Sequence, residues 1–270
     1  MDKENILTML AKLREFQSGV QNVHQLFSFS YPITIVKDDL FHIYDVTLNG
    51  NEYKLIKTEP CHFPIPHGVR AAFPLERYGD KISAIITEEV FDTLDGFITI
   101  LHEFVHCAQY NQCEMELRKQ LAISEYYRKE NNYMWEITHP FPYDDQTFIG
   151  LFEQYISALD DFDISRAEMI RTRLSTELKK ADFEYLAWQE WKEGFARFIE
   201  NKIKARLNVE TNHKGREKPY NRISFYESGS KYISLIDREN EDIIADIKGL
   251  FFEMNKDVLT LDIKCGYSIK

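Results

Sequence analysis

The stretch "ITILHEFVHCAQY", residues 98–110, sets the tightest condition on how this chain can fold. Its apolar residues recur at helical spacing, and two histidines stand four apart with a glutamate directly after the first. A helix formed here therefore aims both imidazoles in one direction. Phe97, Leu101, Phe104, Val105 and Ala108 root that helix in a core. The fold has to bury most of the helix while giving His102 and His106 something polar to face.

The chain is long enough to do so. Its 270 residues, 44% hydrophobic and 14% aromatic, suit a folded globule that buries roughly three quarters of its unfolded surface. No apolar run approaches the ~20 residues of a membrane-spanning helix, so no membrane partner is expected. The N-terminal "MDKENILTMLAKLREF" carries early acids and an amphipathic pattern, unlike a secretory or transit peptide, and the expected location is cytoplasmic. Cys61, Cys107, Cys113 and Cys265 form no CxxC pair, which argues for reduced thiols rather than a zinc ribbon or a disulfide framework. With 33 basic and 44 acidic residues the net charge is −11. No long basic run offers a phosphate-binding footprint, so nucleic acid is not an expected partner.

Periodicity predicts an N-terminal amphipathic helix over 4–27, then strands in "ITIVKDDLFHIYDVTLNGNEYKLIKTE" with a hairpin turning at Asn49–Asn51. The proline-rich "PCHFPIPHG" (60–68) reads as a seam, and the stretch after it offers a pair of short strands or one strand with an excursion, turning near Gly79. Helices are expected at about 95–130, 145–160, 165–181, 183–206 and 238–254, the third with a capping box from Ser165 to Glu168. The fold class is α+β.

The His102, Glu103, His106 pattern is that of HExxH metallopeptidases, in which two histidines hold the metal and the glutamate reaches a metal-bound water. Gln109 and Gln112 stand where a metzincin would continue its motif, which excludes that class. A third ligand from a later helix is available in "WQEWKEGFARFIENKI", where Glu193 precedes Gly194. The missing side chain at Gly194 would let that helix approach the HEFVH helix closely.

"KEGFARFIE" resembles the "NEGFA" helix of the aminopeptidase N family of gluzincins, whose glutamate before the glycine is the third zinc ligand. Together with "HEFVH", the resemblance implies a zincin-like metallopeptidase of the peptidase-MA type. It implies a mostly helical catalytic region, with a small β-sheet from the N-terminal half. Residues 1–68 would form an N-terminal helix and hairpin subregion, and 69–270 the peptidase domain with a helical insertion at about 110–182. The implied site is Zn2+ on His102, His106 and Glu193, with Glu103 as general base and a peptide or protein as substrate. A strand within 69–87 would bind the extended substrate by its backbone. Lys192 stands where the family has asparagine, and no GAMEN-like stretch precedes HEFVH, so aminopeptidase specificity does not transfer.

"FYESGSKYISLI" (225–236) resembles the family's "YxKG" segment, whose tyrosine stabilises the oxyanion. Tyr226 is the matching position, with Gly229 for the glycine and Ser228 in place of the lysine. Tyr226 could equally be a packing aromatic, and Tyr232 is the substitute donor.

Two other readings remain open. Glu103/His106 and Glu136/His139 are both ExxH pairs, as in ferritin-like di-iron proteins, although Pro140 would break the second helix. A catalytically silent zincin-fold binding protein would share the ligands. His24, His42, His62, His67 and His213 read as solvated or locally bonded, Cys107 as core, and Glu190 or Glu200 as surface charges or outer partners of a ligand histidine.

Overall fold

The structure, a computed structural model, describes residues 3–46 and 52–259. It is an α+β protein dominated by helix, with all the strands among the described residues between residues 33 and 87. The chain gathers into two compact units: Met1–Asn111 with Ile199–Asn212, and Gln112–Phe198 with His213–Lys270.

In the first unit, α1 (Lys3–Gly19) turns Ile6, Leu10 and Leu13 inward and is shorter than expected, because two short 3-10 turns cover 21–28. The sheet contains β1 (Ile33–Lys37), β2 (Leu40–Val46), β3 (Tyr53–Pro60), β4 (Arg70–Leu75) and β5 (Lys81–Thr87). Its order is β3-β2-β1-β5-β4, with β1 and β5 parallel and the other pairs antiparallel. β1 turns into β2 at Asp38 and Asp39, both at positive φ, the backbone of a primed hairpin turn. The expected hairpin of β2 with β3 forms, but its turn at 49–51 lies outside the described residues. Gly79 adopts the left-handed conformation between β4 and β5. The seam at 60–68 falls inside this unit, since β5 beyond it pairs with β1.

The central strands are buried, with Ile33, Ile35, Ile43, Ile85 and Ile86 at 0% exposure. Helix α2 (Leu94–Gln109) belongs to the same unit. Thr93 caps it by accepting from the Gly96 amide, and a side chain at Gly96 would collide with the Val90 carbonyl. A π-helical turn, 110–114, ends α2, so the expected helix to residue 130 is interrupted. Such turns expel a residue from the regular ladder and recur at functional sites.

The second unit contains α3 (Met115–Arg118), α4 (Ala122–Lys129), α5 (Trp135–Thr138), α6 (Gln146–Asp160), α7 (Ile164–Glu177), α8 (Lys180–Arg206, whose last turns belong to the first unit), α9 (Arg222–Glu239) and α10 (Ile247–Asn255). The cap of α7 is Asp163, which accepts from the Arg166 amide, and not the expected Ser165: the helix starts one residue before Ser165, leaving it inside the first turn. Periodicity also missed α9 over most of its length. Its buried residues mix Phe225, Ile233 and Ile236 with Ser224, Ser228, Gly229 and Ser230, and these small and polar positions dilute the apolar signal while allowing close packing.

That packing corrects the role expected for Gly194. A Cβ there would lie 2.7 Å from Gly229 Cα, so the glycine serves the α8–α9 crossing and not an approach to the HEFVH helix. At Gly229 a Cβ would come within 2.2 Å of the Glu190 carbonyl oxygen. Gly229→Ala is therefore expected to destabilise the chain by about 2–3 kcal/mol through overpacking. A urea midpoint unchanged by the substitution would contradict this crossing.

Candidate metal centre

The helical repeat of α2 places His102 and His106 side by side, with Nε2 atoms 3.2 Å apart. Their outer nitrogens are both engaged. His102 Nδ1 lies 3.2 Å from Glu200 Oε2, and His106 Nδ1 lies 2.9 Å from Gln109 Oε1. Carboxylate and amide oxygens only accept, so each Nδ1 is the protonated donor and each Nε2 carries a lone pair. Two lone pairs so close repel, and either a proton on one ring, shared as N–H···N, or a cation between them relieves the repulsion. Around a tetrahedral zinc with Zn–N of about 2.0–2.1 Å, two ligand nitrogens would be roughly 3.3 Å apart, which the observed spacing fits.

Glu200 is itself held in place. Asn212 Nδ2 donates to its Oε1 at 3.0 Å, and Lys204, one turn on, lies 3.7 Å from the same oxygen while pairing with Asp95 at 2.9 Å. Such an outer carboxylate fixes the tautomer and orientation of a ligand histidine. It was legible in outline, because Glu200 follows Glu193 by seven residues and two helical turns return a side chain to the same face. Gln109 and Asn212 were not, since a glutamine three residues after a histidine and an asparagine in a loop carry no distinctive signal.

Ligand atoms of His102, His106 and Glu193 lie within 4.8 Å of one another, and this is the group of metal-binding residue types that comes together among the described residues. Two imidazoles and a carboxylate are a donor set that could hold a divalent ion. Glu103, 5% exposed, is buried on the same helix.

Glu190 and Glu193, three residues apart on α8, have separate roles. Glu190 is fully buried, paired with Arg171 at 3.1 Å and hydrogen-bonded by Ser228 at 2.7 Å. Glu193 is part-exposed, with Arg222 Nη1 3.8 Å away and the Tyr226 hydroxyl hydrogen-bonded to it. Burial first, then the charge of Glu193, push the Tyr226 phenol far above its usual range, so it keeps its proton and donates. The substitute, Tyr232, instead packs under the Arg171 guanidinium, 5.3 Å from its ring centre.

The second ExxH pair is engaged elsewhere. Glu136 binds Lys192 at 3.0 Å, and His139 sits between Asp182 at 2.8 Å and the Tyr127 hydroxyl at 2.9 Å. Its helix, α5, is a single turn. His24 caps a 3-10 turn, His213 pairs with Glu227, and Cys107 is a buried core residue. Cys265 lies outside the described residues.

Comparison of the chain with known protein families, with curated proteins and with solved structures gives no match.

Removing Glu193 and removing Glu190 are expected to have opposite effects. Glu193→Ala should abolish tight divalent-metal binding with little change in the stability of the metal-free chain. Glu190→Ala should cost about 3–5 kcal/mol, because Arg171 is left buried without its carboxylate, while metal affinity persists in whatever fraction folds. Glu200→Gln should weaken metal binding by about 10- to 100-fold. Calorimetric metal titration and chemical denaturation of the three variants check all of this, and a metal affinity indifferent to Glu193 would reject the ligand set.

Proposed function

We propose that the chain is a zinc-dependent metallopeptidase of zincin-like fold, acting on peptides or proteins in the cytoplasm. The observation that carries this reading is the convergence of His102, His106 and Glu193, with both histidines held by acceptors at Nδ1 so that both Nε2 lone pairs converge. Among the described residues, no helix is long and apolar enough to cross a membrane.

A zinc ion bound there would lower the pKa of a coordinated water toward neutrality and polarise a carbonyl. Glu103 follows His102 on α2 and would take the proton released as water attacks the scissile carbonyl carbon. It then delivers that proton to the departing amine, so the C–N bond breaks without a free amide anion. Tyr226 keeps its phenolic proton beside Glu193 and is the donor offered to the carbonyl oxygen as negative charge develops on it. β4 is the terminal strand of the sheet and suits an extended substrate lying alongside it, with Pro74 removing one donor from that strand.

Glu103→Gln is expected to retain one zinc per chain and lose hydrolysis by ~10² to 10⁴, since a carboxamide preserves shape but cannot accept the proton. Metal analysis with a cleavage profile on mixed peptides tests the reading. Zinc bound stoichiometrically with no cleavage of any peptide would favour a binding protein; two irons per chain would favour the di-iron alternative. Tyr226→Phe should keep zinc and fold while lowering kcat by ~10². Earlier melting with kcat retained would make Tyr226 a packing residue.

A further inference from the structure

Arg222 is the first residue of α9 and is not used by the chemistry described above. Its guanidinium lies 3.8 Å from Glu193, stacks over the Tyr226 ring at 5.3 Å from the centre, and its side chain is 34% exposed. The neighbouring cations are differently placed. Arg197 is 6% exposed, donates to the Lys214 carbonyl at 3.0 Å and faces Glu227; Lys192 is bound by both Glu114 and Glu136 at 3.0 Å. Arg222 alone of the three combines solvent access with nearness to Glu193.

The phenols close by are already engaged: the Tyr226 hydroxyl is hydrogen-bonded to Glu193, and the Tyr185 hydroxyl donates to the Glu136 carbonyl at 3.0 Å. The partly exposed guanidinium fork of Arg222 is the donor that carboxylates bind by charge-assisted hydrogen bonds. In a chain of net charge −11, a cation held at this position selects strongly among ligands.

We infer that Arg222 receives the terminal carboxylate of a peptide, so that the substrate is cut next to its last residue. The inference rests on the peptidase reading for the cut, but not for the carboxylate site. Reach limits it to one residue. A terminal carboxylate is about 4–5 Å from the carbonyl of the preceding residue, and each further residue adds about 3.5 Å. Only the shorter span suits a guanidinium 3.8 Å from a ligand oxygen. Hydrolysis adds the water oxygen to the carbonyl carbon and its proton to the amine, releasing a shortened peptide and one free amino acid.

The test uses binding rather than turnover. The full chain, stripped of metal by a chelator, is titrated calorimetrically with N-acetyl-Ala-Phe, with its C-terminal amide, and with N-acetyl-Ala-Glu amide, which moves the carboxylate to a side chain. The free acid should bind about 10- to 100-fold more tightly than either amide, as expected for a charged hydrogen-bonded pair. In R222Q that ratio should collapse toward one, and in R222K it should be partly kept. Equal binding of acid and amide, or no binding of either, overturns the inference, as does equal binding of the side-chain carboxylate. The wild-type ratio needs no variant, so misfolding of R222Q cannot obscure it. A chain that keeps the ratio but cleaves nothing would refute the peptidase reading and leave the carboxylate site standing.

Discussion

The crossing of α8 and α9 at Gly194 and Gly229 is the constraint on which the second unit depends. With no side chain at either glycine, the two backbones meet at van der Waals distance, and a methyl group on either would strike the other helix. This contact sets the rotation of α8. Once that rotation is set, Glu190 turns toward buried Arg171 and Ser228, while Glu193, most of a turn further round, faces Arg222 and Tyr226. Two carboxylates of equal chemistry thus acquire unequal surroundings. One becomes half of a buried ion pair that is costly to break, and the other stays available to a cation.

The same helix completes the surroundings of α2. Glu200 accepts from His102, and Asn212 and Lys204 hold Glu200 from the other side. This chain of contacts matters because an imidazole has two usable nitrogens and only one can face a metal. Occupying Nδ1 with an acceptor removes the choice and leaves the Nε2 lone pair pointing inward. Gln109 does the same for His106 with a neutral amide. One histidine is thereby held by a charged partner and the other by an uncharged one, which limits the negative charge gathered behind the site.

Charge is distributed with similar separation around Glu193. Lys192, next in sequence, is drawn away to Glu114 and Glu136, so it does not compete with a metal for the carboxylate. Arg222 stays close but partly solvated, where water screens its repulsion of a bound cation. The phenols nearby remain neutral donors because burial opposes their ionisation.

Local pattern was enough to assign the α+β class, the HEFVH helix, its two histidines, the strands of the sheet and the turn at Gly79, because each depends on periodicity or on a residue's own backbone preference. Glu193 and Tyr226 came from resemblance to a family segment, not from physics alone, and the structure brings both to one place. What the sequence could not determine were features set by partners distant in the chain. Gly194 serves α9 rather than α2, Glu190 belongs to Arg171 rather than to solvent, and α9 buries Ser224, Ser228 and Ser230 among its apolar residues. In each case a small or polar residue takes its role from what packs against it across the fold. Only tertiary structure brings Arg171 to Glu190, Asn212 to Glu200 and Arg222 to Glu193, since contact between residues far apart in sequence follows from helix rotation and crossing and leaves no local pattern to read.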